Sequence, residues 1–124
     1  MDKRKHASTR LIHAGNHPER HRGVMNTPTY RTSTVIFPTL ATMVEATKNK
    51  FDTIYYGRHG TPTTMALEEA VADLEGGYRS VSVPSGVSAI IVSLLAFLKA
   101  GDHLLVADNV YGPTRQLCIG FLKK

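Results

Sequence analysis

The sequence predicts an α/β fold, a three-layer arrangement with parallel central strands, and three observations predict it. After Thr61 the pattern runs helix, strand, helix, strand, helix, the rhythm of helices packed on both faces of a parallel sheet. The second strand segment, "HLLVA" at residues 103–107, is almost continuously apolar, as a strand buried on both faces must be. The helix between the strands, "SGVSAIIVSLLAFLKAGD", is apolar almost all round, which asks for burial on most sides.

Residues 1–60 carry little periodicity and many turn formers, among them Gly15, Pro18, Gly23, Pro28, Pro38, Gly57 and Gly60. A stretch of that length without structure of its own is unusual inside a compact domain, so it reads as an extended N-terminal arm ordered by something else. Within it "ATMVEATKNK" fits one or two helical turns, and "YRTSTVIF" fits a short extended piece because β-branched residues dominate. From Thr61 the signals sharpen. Thr61 and Pro62 suit the N-cap and first helical positions, and Leu67, Ala70, Val71 and Leu74 recur on one face before Gly76 and Gly77. "RSVSVP" at 79–84 follows as a short strand with Val81 and Val83 on one face, then the apolar helix to about Lys99 and Gly101. After "HLLVA", "GPTRQLCIGF" begins another helix, with Pro113 tolerable in its first turn. Two strands are too few for an open sheet, which usually has about four to six. Residues 61–124 therefore read as the first part of a larger α/β domain, truncated at "FLKK" without a closing strand. Without neighbouring strands, the apolar helix would face water.

Composition narrows the function classes. The chain has 124 residues, 42% of them hydrophobic, enough for one modest domain. Its net charge of +5 is concentrated at the start, where Lys3, Arg4, Lys5, Arg10, Arg20 and Arg22 face only Asp2 and Glu19. No zinc-finger spacing, recognition-helix pattern or aromatic-interleaved strand accompanies that charge, so it reads as a solvated tail and no nucleic-acid partner is expected. The single cysteine, Cys118, excludes an internal disulfide and fits a reducing compartment. The first residues are charged and lack an apolar signal core. The greasiest run, Ala89 to Leu98, is ten residues, against the roughly 20 needed to cross a bilayer. A cytoplasmic protein with no membrane partner is expected. The six histidines show no metal-ligand spacing, so no metal is expected.

Three constellations carry possible chemistry. Tyr56 and Arg58 alternate around Gly57, so on an extended loop they point the same way, and a guanidinium fork beside a phenol suits a phosphate. Ser85 and Gly86 stand where the first strand hands over to the apolar helix. The free N–H groups of Gly86, Val87 and Ser88 would favour an anion there, and Gly86 lets it come close. The same spacing also serves as an ordinary strand-to-helix turn with a serine cap. Tyr111, just past the second strand, falls at the sheet edge where α/β folds place ligands. It can offer its ring to a planar cofactor or its hydroxyl to a phosphate, or it can simply cover the edge. His59 fits either a ligand or an ordinary loop residue.

Taken in order, "TRLIHAG", "TPTYRTSTVIFPT", "YYGRHGTPTTMALEEAVADLEGG", "VPSGVSAI" and "GDHLLVADNVYGPTR" resemble the N-terminal third of the pyridoxal-phosphate enzymes of cysteine and methionine metabolism. Within that family they are most similar to the cystathionine β-lyase branch. The resemblance implies the fold-type I architecture of the aspartate aminotransferases, with an arm over residues 1–60 that wraps a neighbouring subunit of a homodimer or homotetramer. The remainder becomes the first part of the large cofactor-binding domain. It implies that Gly86 and Val87 donate N–H groups to the phosphate of pyridoxal 5'-phosphate, that Tyr111 stacks on the pyridine ring, and that Tyr56 and Arg58 reach into the neighbour's site. Ser88 departs from the small apolar residue common there. The family's Schiff-base lysine falls beyond Lys124, so no catalytic residue is expected within the chain. The implied substrate is a sulfur-containing amino acid, cystathionine giving homocysteine, pyruvate and ammonia. A γ-acting member of the family and a non-catalytic remnant are the alternatives.

Overall fold

The computed structural model describes residues 6–123. Their elements are α1 (Ala7–His13), a 3-10 turn at Pro18–Arg20, α2 (Leu40–Lys48), α3 (Pro62–Glu75), α4 (Gly86–Phe97) and α5 (Gly112–Ile119). The chain divides into two compact units, one running to Val81 and the other beginning at Ser82.

In the first unit α3 forms as its sequence asks. Thr61 is the N-cap with Pro62 in the first turn, the Thr61 N–H donates to the Thr64 hydroxyl at 2.9 Å, and Gly76 closes the helix in the left-handed conformation. The helix expected around 41–50 is α2. There Thr39 and Thr42 exchange backbone-to-hydroxyl hydrogen bonds at 3.2 and 3.3 Å, satisfying two donors that a helix start otherwise leaves open.

Residues before 60 hold more structure than the sequence suggests. α1 carries Arg10 and His13 in its last turn, where cations meet the negative end of the helix. Arg10 donates from Nε to Asp73 Oδ2 at 3.3 Å and from its terminal amino group to the Asp73 carbonyl, which ties α1 to α3. Gly15 follows with φ +70°, and a Cβ built there would lie 2.0 Å from the Ala66 carbonyl oxygen. Only glycine permits both the left-handed turn and this approach. His17 Nε2 meets both carboxylate oxygens of Glu69 at 2.9 Å, while its Nδ1 meets Glu19 at 3.1 Å. The Glu19 carboxyl is held below its usual range, chiefly by its own backbone N–H and then by His17 and Arg20. Its contribution is therefore complete above the ordinary carboxylate range and is lost as pH falls through the lowered value. The Thr63 hydroxyl donates to the Pro28 carbonyl at 2.9 Å and accepts from the Tyr30 N–H at 2.8 Å, fastening residues 28–30 to the start of α3.

The expected sheet does not form. Among the described residues there is no strand, and 79–83, 103–106 and the piece at 30–37 have no regular structure. A strand exists only with a ladder partner for its N–H and C=O groups; none of these segments finds one, and Val81 and Leu105 stand 77% and 89% exposed. The described residues are thus all-helical, and the central sheet of the α/β expectation is not shown by them.

The second unit bears the cost of the missing sheet. α4 and α5 touch, but α4 ends at Phe97, short of Lys99, and has no buried residue. Its apolar surface is left facing water, as expected where neighbouring strands are lacking, since no sheet face covers it among the described residues. Across the described residues the buried apolar positions are Ala14, Ala46 and Ala72, and no large side chain is fully buried. No helix is long and apolar enough to cross a membrane among the described residues.

Substitutions in the two units should behave differently. Gly15→Ala forces a side chain into the Ala66 carbonyl and into a left-handed φ; it should destabilise the first unit by more than about 1 kcal/mol, read as faster hydrogen exchange in α1 and α3. Phe97, 84% exposed at the end of α4, should tolerate Phe97→Gln within about 0.5 kcal/mol, with unchanged helical circular dichroism and weaker binding of an apolar dye. A large loss of helix would mean that Phe97 is packed.

Candidate functional site

The sequence-predicted residues fall in both units. Tyr56 and Arg58 lie in the first, and Gly86, Val87 and Tyr111 in the second.

Tyr56 and Arg58 come together on the loop that precedes α3. The Arg58 guanidinium carbon stands 5.7 Å from the centroid of the Tyr56 ring, within the range of a cation–π contact. Among the described residues no carboxylate pairs with Arg58, which is exposed. The loop is pinned from behind. The Gly57 N–H donates to the Ser33 carbonyl at 2.7 Å, and a Cβ on Gly57 would lie 1.9 Å from the Thr32 carbonyl oxygen, so the two backbones touch. Sequence reasoning missed this support, because a backbone-to-backbone contact leaves no mark on residue type beyond the glycine itself. It also gave Tyr55 no role and read His59 as a ligand or an ordinary loop residue, and the structure stacks their rings at 5.2 Å and 28°.

In the second unit Gly86 and Val87 occupy the first two positions of α4. Their N–H groups precede the first intrahelical bond, Ala89 N–H to Ser85 C=O at 3.0 Å, and remain open donors among the described residues. No atom lies within 4 Å of where a Gly86 Cβ would stand, so the approach is clear. Ser88 corrects one expectation. Its N–H is taken by the Ser85 hydroxyl at 3.1 Å, and the two hydroxyls lie 2.8 Å apart. The open donors at this helix start are therefore Gly86 and Val87 without Ser88. Tyr111 is the N-cap of α5; its carbonyl accepts from Thr114 and Arg115 at 2.9 and 3.1 Å, while its side chain makes no hydrogen bond among the described residues and the residue is 59% exposed. Arg115 reaches back to the Asp108 carboxylate at 2.8 Å, which braces the turn that presents the ring.

Taken unit by unit, the second unit offers two open N–H donors at the positive end of a helix and an exposed aromatic face, groups of the kind that suit a phosphate and a flat ring, and the first offers a guanidinium without a carboxylate partner among the described residues beside a phenol, a pair of the kind that suits an anion. Another concavity does not fit it. A cleft of about 490 Å³ in the first unit is lined by His17, Arg20, His21, Tyr30 and Asp52, but His17 is paired with Glu69 and Asp52 with Arg79. Neither Tyr56 nor Arg58 lines it. Among the described residues no cluster of histidine, cysteine or carboxylate could hold a metal.

Residues 8–124 match the family described as Cys/Met metabolism PLP-dependent enzyme. The chain is 47% identical over 117 residues to a protein of Rhizobium johnstonii provisionally named as a cystathionine beta-lyase, covering 94% of this chain and 28% of that relative. It is 35% identical over 121 residues to the cystathionine beta-lyase MetC of Escherichia coli K12, covering 97% and 31%. It is also 35% identical over 124 residues to an L-alanine/L-glutamate racemase of Wolbachia pipientis wMel, covering 92% and 31%. The chain thus spans about 30% of the length of these curated relatives.

The serine cap can be tested directly. Ser85→Ala removes the acceptor for Ser88 N–H and should cost α4 about 1 kcal/mol, seen as faster exchange of the Ser88 amide. Ser88→Ala leaves the cap in place and should cost clearly less. Equal effects would show that the hydroxyl pair, rather than the cap, holds the helix start.

Proposed function

We propose, because the chain belongs to the Cys/Met metabolism PLP-dependent enzyme family, that it supplies cofactor-holding residues for pyridoxal phosphate in a carbon–sulfur lyase of the cystathionine β-lyase type. The observation that carries this reading is Arg58: a guanidinium seated beside the Tyr56 ring, exposed, with no carboxylate partner among the described residues. An arginine so placed is equipped for an anion that arrives from outside its own unit.

Each residue then has a task. Gly86 and Val87 donate their open N–H groups to the cofactor phosphate at the positive end of α4. Ser85 keeps that end helical by capping it. Tyr111 lays its exposed ring against the pyridine face, braced by the Arg115–Asp108 pair. Tyr56 and Arg58 close on the phosphate of a neighbouring subunit, which makes the working protein a homo-oligomer with shared sites. When bound, pyridoxal phosphate supplies an electron-withdrawing ring that accepts the charge released at the substrate α-carbon. None of the seven lysines, at positions 3, 5, 48, 50, 99, 123 and 124, stands in sequence surroundings like the family's Schiff-base motif, so the group that joins the cofactor covalently is assigned to sequence beyond this chain. That sequence also completes the fold-type I sheet. The choice of β-elimination over γ-chemistry rests on the relatives' names.

Loss of one charge-assisted hydrogen bond costs roughly 1.5–3 kcal/mol, so Arg58→Ala should weaken pyridoxal phosphate binding by about tenfold or more, measured by equilibrium dialysis on the enzyme that contains this chain. Equal affinity in mutant and wild type removes Arg58 from the site. The same enzyme given cystathionine should release pyruvate; release of 2-oxobutyrate instead would assign it to the γ-acting branch. The isolated 124-residue chain should release neither.

A further inference from the structure

We propose that His59 is a positioning residue for the Tyr56/Arg58 pair, an inference that rests on the reading of that pair as an anion holder. A guanidinium on a long, exposed side chain has many rotamers to choose from. The Arg58 guanidinium is restrained by the Tyr56 ring, 5.7 Å away. Where the fork points is therefore decided by where that ring points. Tyr56 in turn leans on two rings. His59 lies 6.0 Å from it at 57°, and Tyr55 lies 6.4 Å from it at 56°. His59 and Tyr55 are themselves stacked at 5.2 Å and 28°, so the three rings form a closed triangle in which each fixes the other two. The backbone closes the same turn, with the His59 N–H donating to the Tyr56 carbonyl at 2.9 Å and Gly57 hydrogen-bonded to Ser33 at 2.7 Å. No hydrogen bond or carboxylate pair claims the imidazole of His59 among the described residues; its contacts are the two rings. Its part in the turn is that of a flat surface.

The test compares wild type, His59→Ala and His59→Phe in the full chain by NMR. Protons of Arg58 held over the Tyr56 ring are shifted upfield by its ring current. The upfield shift should fall to about half or less in His59→Ala and survive in His59→Phe, which keeps a flat ring against Tyr55. In parallel, inorganic phosphate is titrated against the Arg58 Nε–H signal. Its apparent dissociation constant should rise about two- to tenfold in His59→Ala and stay unchanged in His59→Phe. An Arg58 shift that is the same in all three proteins overturns the proposal, and so does its loss in both variants, since stacking would then not be what holds the ring. The Thr63 and Ala66 amide signals, unchanged in both variants, show that the start of α3 is intact. If the ring-current pattern holds while phosphate leaves the wild-type Arg58 signal unmoved, the positioning role stands and the reading of Arg58 as a phosphate holder falls.

Discussion

The first unit depends on how closely the backbone at Gly15 can approach α3. With a would-be Cβ only 2.0 Å from the Ala66 carbonyl oxygen, no side chain fits between the chain after α1 and the helix. That contact places Arg10 beside Asp73 at one end and His17 beside Glu69 at the other. Thr63 then draws residues 28–30 onto the first turn of the same helix. Ser33, a few residues on, pins the loop that bears Tyr56 and Arg58. The candidate phosphate-holding pair is therefore set by a chain of side-chain and backbone contacts that starts at one glycine, in a unit whose buried residues are mostly alanines.

Legibility in the sequence tracks how local each interaction is. α3 could be read because its cap, its proline, its apolar face and its closing glycine all lie within one stretch, from Thr61 to Gly76. α2 could be read only as one or two turns within 41–50, without the Thr39–Thr42 cap that starts it. α1 leaves no such signature: its seven residues have no side-chain cap, and a helix that short needs tertiary support, here the fork of Arg10 on Asp73. The strand segments depend on something that is not local. "RSVSVP" and "HLLVA" have the composition of strands, yet a strand is completed by a neighbour, and among the described residues none is present.

The candidate site divides in the same way. The glycine at position 86 and the serine before it marked a helix start from the sequence, and the open donors are there. The sequence could not say that the Ser85 hydroxyl consumes the Ser88 N–H, since serine at a cap and serine as a ligand look alike until the rotamer is seen. The pairing of Tyr56 with Arg58 was readable from their alternation around Gly57. The stack of Tyr55 on His59 was not, because it depends on the turn bringing residues four apart face to face.

The scarcity of burial has a calorimetric consequence. The heat capacity change of unfolding comes from apolar surface newly exposed to water, about 12–15 cal/mol/K per residue in ordinary domains. Here Val81, Phe97 and Leu105 are already largely hydrated in the folded chain, and melting it exposes little more. Its stability curve should accordingly be flat with temperature, and its free energy should fall only shallowly with urea. A polypeptide of this kind should have little cooperative margin, so a gradual transition on warming is expected of it.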